Sequence, residues 1–475
     1  MCVCRVVVVV VFVGVGVFLC FVCDLCVCAC VYLYLELGGE KRVRNLKREM
    51  EMTITPLPNS RIGAVVKGIN SAAALARMLD KGGVESERIA ARLADALRDH
   101  LLLLLRGEDG EEDEANAETM SPSEMRSLYM HIHAARFPEL RVAPPEASRP
   151  GWSEDNIRGA TFPGFNETQV LGYAEHIDSW HGLSGPLKPT AWWVRSAGQF
   201  HHDGGFSSTS RIPPALVSMH CEESPTAMLA PQVLTHKHHM KCAAGATLFF
   251  PTSLSLVSDT MAARARKMRC VYVESFGRVV FGTYPQMKNS FLIPEAQSPV
   301  IDMRGVEGKS ANTGYRSNTD IPADEYADRQ KRFESAASPA GEKEQETAPV
   351  FYHRLVQQRR QQQQEQHGTD CKNDEYVVCH CVCLDHLEEE TENGEWHELS
   401  WEASMQFMEE LLLPMSMPPN LCALNWRRGD YMLFDNLRTQ HSVSASDLYS
   451  VPGCRRLMTR TACQPSGEAA EMLLV

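Results

Sequence analysis

Basic residues are the scarcer charge in this 475-residue chain: 47 Lys and Arg stand against 60 Asp and Glu, a formal net charge of -13. Nucleic acid is held by a concentrated basic face, so this balance excludes it and leaves a small molecule as the expected substrate class. Cysteine is numerous at 17 but scarce where a fold would use it. Seven lie in the first thirty residues (Cys2, Cys4, Cys20, Cys23, Cys26, Cys28, Cys30) and four more between Cys371 and Cys383. The body keeps only Cys221, Cys242, Cys270, Cys422, Cys454 and Cys463. Six scattered thiols exclude a disulfide scaffold, suit a reducing compartment and predict a cytoplasmic body.

Long apolar runs are absent outside the N-terminal segment, where Val6 to Cys23 is uncharged and long enough to cross a bilayer. Three readings stay open for it. A retained anchor would keep the body on the cytoplasmic side through Lys41, Arg42, Arg44, Lys47 and Arg48. A cleaved signal peptide would carry its basic charge on the other flank. A start at Met50 or Met52 would leave the stretch untranslated, since alternating Cys-Val is what a TG dinucleotide repeat encodes. Membrane contact is expected only if residues 1–35 are made and kept. Five regions follow: an apolar leader (1–50), a first catalytic part (51–306), a low-complexity and partly disordered insertion (307–394), a second catalytic part (395–465) and a tail (466–475).

Within the first part, Arg61 to Val66 alternates as a strand does, and Ser86 to His100 has the spacing of an amphipathic helix. Leu101 to Leu105 is a buried strand, and the acidic stretch Glu108 to Glu118 a solvated loop. Ser121-Pro122-Ser123-Glu124 is a capping box that predicts a helix to about Arg136. In the insertion, Gln357 to Gln364 and Glu388 to Glu392 read as low complexity, while Val350 to Leu355 and Tyr376 to Leu384 are strand-like. Ser400 caps a further helix, Gly429-Asp430 makes a turn, and Tyr431 to Phe434 and Arg456 to Cys463 are strands.

The chemistry concentrates in Phe200-His201-His202-Asp203-Gly204-Gly205-Phe206. Residues two apart on a strand share a face, so His201 and Asp203 can reach one metal while His202 points away into packing. Two histidines and a carboxylate leave coordination positions open, the non-haem iron(II) arrangement for binding a co-substrate together with O2. The third ligand must be distant, and His441, at the end of Asp435-Asn436-Leu437-Arg438-Thr439-Gln440-His441, is the candidate. A 2-oxoglutarate co-substrate would chelate the iron and leave a second carboxylate needing a cation. Arginine's planar fork suits it, and Arg456 and Arg460 lie on one face of the last strand, with Thr247 able to add a hydroxyl. Arg455 reads as a solvated partner.

The set His201-x-Asp203, Gly245-x-Thr247, Gly429-Asp430, Asp435-Asn436, His441 and Arg455-Arg456-x-x-x-Arg460 resembles the taurine dioxygenase family, which includes 2,4-dichlorophenoxyacetate dioxygenase. The resemblance covers most of 53–306 and 395–463. It implies a mainly β fold with flanking helices and a double-stranded β-helix, or jelly-roll, core. It further implies His201, Asp203 and His441 as iron ligands, Thr247 and Arg456 on 2-oxoglutarate, and Arg460 beside the substrate or co-substrate anion. The reaction implied is hydroxylation of a small organic substrate, with release of succinate and CO2.

Departures narrow this. Phe200 replaces the family's tryptophan, Phe137-Pro138 replaces Phe-Gly, and the histidines expected beyond it are missing around Arg141 to Pro145, so taurine is not the expected substrate. Extra residues Met228 to Cys242 bring His236, His238 and His239, read as a solvated loop; Cys379-His380-Cys381-Val382-Cys383 lacks the second pair of a zinc site. Asp203 excludes the halogenase variant, which needs that position vacant. A jelly roll using its metal without 2-oxoglutarate, and a non-catalytic membrane-tethered binding protein, are the alternatives; oligomerisation is open.

Overall fold

The computed structural model describes residues 7–13, 16–22, 52–107, 117–143, 161–187, 200–203, 213–224, 232–234, 241–243, 246–273, 278–280, 300–302, 350–359, 375–379, 386–443 and 455–466. The loop at 108–116, the histidines at 236–239 and the cysteines at 381 and 383 fall outside these. The chain divides into two compact units, Met1–Thr53 and Ile54–Val475. In the first, the apolar segment forms two antiparallel strands, Val7–Val13 and Gly16–Val22, with Val13 opposite Gly16. Among the described residues, no helix is long and apolar enough to cross a membrane.

The second unit is mostly β with a few helices. Strand β1 (Ala64–Lys67) leads to α1 (Ala72–Asp80), an element beyond those expected, whose first turn is capped by Ser71 Oγ accepting from Ala74 N at 3.0 Å. Helix α2 (Val84–His100) buries Ile89, Leu93 and Leu97 at four-residue spacing and hands over to β2 (Leu102–Leu105). The capping box forms at the head of α3 (Pro122–Arg136): Glu124 N donates to Ser121 Oγ, and Ser121 N donates to the Glu124 carboxylate at 2.9 Å. Such reciprocal bonds satisfy donors a helix start would otherwise leave bare.

After α3 come β3 (Phe165–Trp180), β4 (Leu216–Glu223) and β5 (Thr247–Pro251). Next are β6 (Met268–Val273), β7 (Val350–Arg354), β8 (Val356–Arg359), β9 (Glu375–Val378) and β10 (His386–Glu390). Helix α4 (Trp401–Leu412) is capped by Ser400, and β11 (Cys422–Leu424), β12 (Tyr431–Asp435), β13 (Thr439–Val443) and β14 (Arg456–Ala462) complete the body.

A large sheet carries the order β1-β2-β12-β4-β14-β3, and a small one the order β11-β5-β13. Phe249 of β5 packs with Met219, Met432, Phe434 and Met458 of the large sheet, its ring 5.1 Å from that of Phe434. On its other face, Leu248 and Phe250 pack with Phe407, Met408, Leu411 and Leu412 of α4. The run Thr247–Pro251 is buried throughout because it is covered on both sides, and truncating Phe249 to alanine would cost about 3–5 kcal/mol. The outer face of the large sheet is closed by α3, where Tyr129 donates to the Leu216 carbonyl at 3.0 Å.

The acidic run at 388–392 corrects the low-complexity reading. Its first residues lie in β10, which pairs with β6, and the carboxylates are matched: Glu388 with Arg269, Glu389 with Arg264 at 3.0 Å, Glu390 with Arg354 at 2.6 Å. Gln357 and Gln358 likewise sit in β8, paired with β9. The strand-like character of Val350 to Leu355 and of the residues from Tyr376 is realised in β7 and β9.

Helix α3 also buries an imidazole. His133 is 1% exposed, stacked 5.8 Å from Tyr129 and 5.3 Å from Phe137, and burial pushes it from 6.5 down to about 4. The unfolded chain takes up that proton near pH 6.5 and the folded chain only near 4, so this contribution is intact above 6.5 and fades as pH falls toward 4, by about 3 kcal/mol. In denaturant titrations from pH 7.5 to 4.5, His133→Phe should lose less stability than wild type by about that amount. Equal losses would refute this account of His133.

Candidate metal centre

His201 and His441 come together through backbone pairing. They exchange both bonds of an antiparallel bridge, His201 N to His441 O and His441 N to His201 O, each 3.1 Å, which places the two side chains on one face. Their ring centroids are 4.6 Å apart. The ring of His441 is wedged 5.7 Å from Phe249 and 5.0 Å from Phe434, so aromatic packing fixes its orientation. Asp203, two residues after His201, returns to the same face. Its Oδ2 lies 3.6 Å from His441 Nε2, and its Oδ1 lies 3.9 Å from His201 Nε2. Ligand atoms of the three residues fall within 4.8 Å of one another, the one such group among the described residues.

The Asn436 side chain secures Asp203. Asp203 N donates to Asn436 Oδ1 at 2.8 Å, and Asn436 Nδ2 donates back to the Asp203 carbonyl at 3.0 Å and to the Pro214 carbonyl at 2.8 Å. This amide imitates a strand neighbour, which fixes the peptide and hence the direction of the carboxylate. Sequence reading noticed Asn436 only within a family pattern; its spacing carries no signal for the clamp.

Burial alone would raise the Asp203 carboxyl, but the Arg460 guanidinium, with His441 and His201, outweighs it and holds the group below its ordinary value. For His441, burial pushes the ring down to about 3, so it stays neutral near pH 7 with a lone pair to offer. Asp203 Oδ2 is buried with no hydrogen-bond partner. Leaving such an acceptor without a donor costs about 1–3 kcal/mol or more, a cost that a bound cation removes. Two imidazoles, that of His441 neutral, and an ionised carboxylate with one bare oxygen therefore fit a divalent ion.

The arginines arrive from the facing sheet. Arg456, Met458 and Arg460 alternate on β14 toward the space between sheets, and Met458 touches the core around Phe249. Arg460 Nη1 donates to Asp203 Oδ1, and Nη2 donates to Oε1 of Gln169, which stands directly opposite it on β3. Arg460 thus joins the candidate metal-binding group directly, through the Asp203 carboxylate. Gln169 was missed from sequence, because only the β3–β14 register reveals it. Arg456 is buried at 3% exposure. Thr247 lies two residues before Phe249, which is paired with His441, and its Oγ1 accepts from Trp426 Nε1 at 2.8 Å, leaving the hydroxyl proton to be donated elsewhere. His202 is packed away from the metal side, as expected, and Arg455 is a half-exposed partner of Glu223 at 2.8 Å.

With these positions in place, residues 73–462 match the model of the taurine catabolism dioxygenase TauD, TfdA family. The chain belongs to that family. As a TauD/TfdA member it is an oxidoreductase of the 2-oxoglutarate-dependent dioxygenase class. Among solved structures, a taurine dioxygenase from Burkholderia xenovorans is 12% identical, with 88% of this chain and 94% of that one covered and a TM-score of 0.42. PvcB from Pseudomonas aeruginosa is 14% identical, with coverages of 87% and 94% and a TM-score of 0.40. AAD-2, in complex with Mn(II) and N-oxalylglycine, is 12% identical, with coverages of 88% and 98% and a TM-score of 0.40. Likenesses at this level add nothing to the family match. No curated protein matches the sequence.

One glycine decides where Arg456 sits in this TauD/TfdA member. Gly172 on β3 has φ +114°, and a Cβ there would lie 1.9 Å from the Arg456 carbonyl oxygen, so the two backbones touch. With Arg456 in the co-substrate-binding role that the family resemblance implies, Gly172→Ala should push β14 away there and raise KM for 2-oxoglutarate by about tenfold or more, with a smaller effect on kcat. An unchanged KM in a folded variant would mean that Arg456 does not contact the co-substrate.

Proposed function

We propose that the chain is an Fe(II)- and 2-oxoglutarate-dependent dioxygenase, built on a double-stranded β-helix core, that hydroxylates a small anionic organic molecule and releases succinate and CO2. The observation that carries this reading is the meeting of His201, Asp203 and His441 within 4.8 Å, with Asp203 Oδ2 left bare. In it, these three residues hold the iron, Thr247 and Arg456 hold 2-oxoglutarate, and Arg460 faces the substrate or co-substrate anion.

The iron, when bound with 2-oxoglutarate and O2, supplies the oxidising chemistry, in which one oxygen atom enters succinate and the other the substrate. The chain's own groups do the rest. His441 presents a lone pair from a ring held by packing, and the paired backbone brings His201 to the same face. Arg460 occupies Asp203 Oδ1 and keeps the carboxylate ionised, so that Oδ2 would be the oxygen to hold the ion. Arg456, buried on the same strand face as Met458, carries a charge that water screens little, suited to the far carboxylate of the co-substrate. Thr247 adds the proton that Trp426 leaves available. The apolar walls of Phe249, Phe434 and Met458 exclude water from the reacting space.

A reducing cytoplasm suits both ferrous iron and the thiols. Cys221, Cys270, Cys379, Cys422 and Cys463 are buried and form no disulfide among the described residues, and burial pushes Cys422 and Cys463 up to about 12, which keeps them unreactive.

Uncoupled turnover tests the reading without a known substrate. Purified protein with Fe(II), O2 and 2-oxoglutarate should release succinate slowly; His441→Ala should abolish it, and Arg456→Ala should raise KM for 2-oxoglutarate by about 100-fold. Succinate release that persists in His441→Ala would contradict the assignment.

A further inference from the structure

His202 stands between two proposed metal ligands yet takes no part in the chemistry described. It is fully buried, and its ring spans two backbone carbonyls on opposite sides. Nδ1 meets the carbonyl of Asn436, the residue whose side chain clamps Asp203. Nε2 meets the carbonyl of Val378 at 2.9 Å, at the end of β9. That end is tied down again: Val378 N donates to Thr252 O at 2.9 Å, Cys379 N donates to Leu355 O at 2.8 Å, and Val378 pairs with Val356 of β8.

Filling the space requires only an apolar side chain, whereas holding the Val378 carbonyl requires an N–H donor at the Nε2 edge of the ring. A shift of β9 would turn the His202 ring and, through one peptide on either side, carry His201 and Asp203 with it. The β8–β9 pair flanks the glutamine-rich tract, so a segment that reads as an insertion ends against the residue between two ligands.

We propose that His202 is a positioning residue that locks the β8–β9 pair to the ligand loop, so that the affinity of the centre for its metal is set in part by the residues bordering the glutamine-rich tract. This rests on the reading of His201, Asp203 and His441 as metal ligands. Two consequences separate it from a merely structural histidine: metal affinity responds to the bonding capacity of residue 202, and metal binding is felt in β9.

Anaerobic Mn(II) titration and amide hydrogen exchange test both. In His202→Phe the Mn(II) Kd should rise by about 10–100-fold, and His202→Gln, whose amide N–H takes about the place of Nε2, should return it to within about threefold of wild type. In wild-type protein, Mn(II) should slow exchange at Val377, Val378 and Cys379. A His202→Phe Kd within about twofold of wild type would overturn the proposal. So would exchange at residues 377–379 that is indifferent to Mn(II) in wild type, a measurement that stands even if the phenylalanine variant fails to fold. Wild-type protein that binds no Mn(II) would overturn the metal-centre reading itself and this proposal with it, whereas tight binding insensitive to residue 202 would sink the positioning role alone.

Discussion

The reciprocal pair of backbone hydrogen bonds between His201 and His441 is the constraint on which the centre depends. It joins two segments far apart in sequence at a single residue pair, outside any long strand. Each segment has its own anchor. His441 is carried by β13, paired along its length with β5, whose Leu248, Phe249 and Phe250 are buried on both faces. The described residues around His201, 200–203, are held by the Asn436 amide and by His202. A rigid histidine is thus paired with a loop fixed by side-chain bonds, which concentrates the demand for precision on a few buried polar groups.

Electrostatics complete the arrangement. A buried aspartate would be expensive alone; Arg460 compensates on one oxygen and, in the proposed reading, the metal does so on the other. Because Gln169 holds the second Arg460 nitrogen, the guanidinium is oriented from the sheet and not from the ligand loop. The large sheet therefore contributes to the centre through Arg460 and, in the proposed reading, to the co-substrate pocket through Arg456.

Much of this was legible in the sequence. The His-x-Asp spacing needs only strand alternation, and the capping box at Ser121, the leucine strand and the strand of Arg456 and Arg460 follow local rules that tertiary structure did not override. What stayed hidden depends on register or on charge pairing across the fold. The acidic residues of β10 resemble a solvated run until Arg269, Arg264 and Arg354 are brought beside them. Gln169 acquires meaning only because β3 sets it opposite Arg460.

Crystals grown anaerobically with Mn(II) would examine the central claim most directly. The account predicts one ion bonded at about 2.1 Å to His201 Nε2, to Asp203 Oδ2 and to His441 Nε2, with Arg460 remaining on Oδ1. An ion bound elsewhere, or one that reaches the first two residues while His441 stays beyond bonding distance, would contradict it.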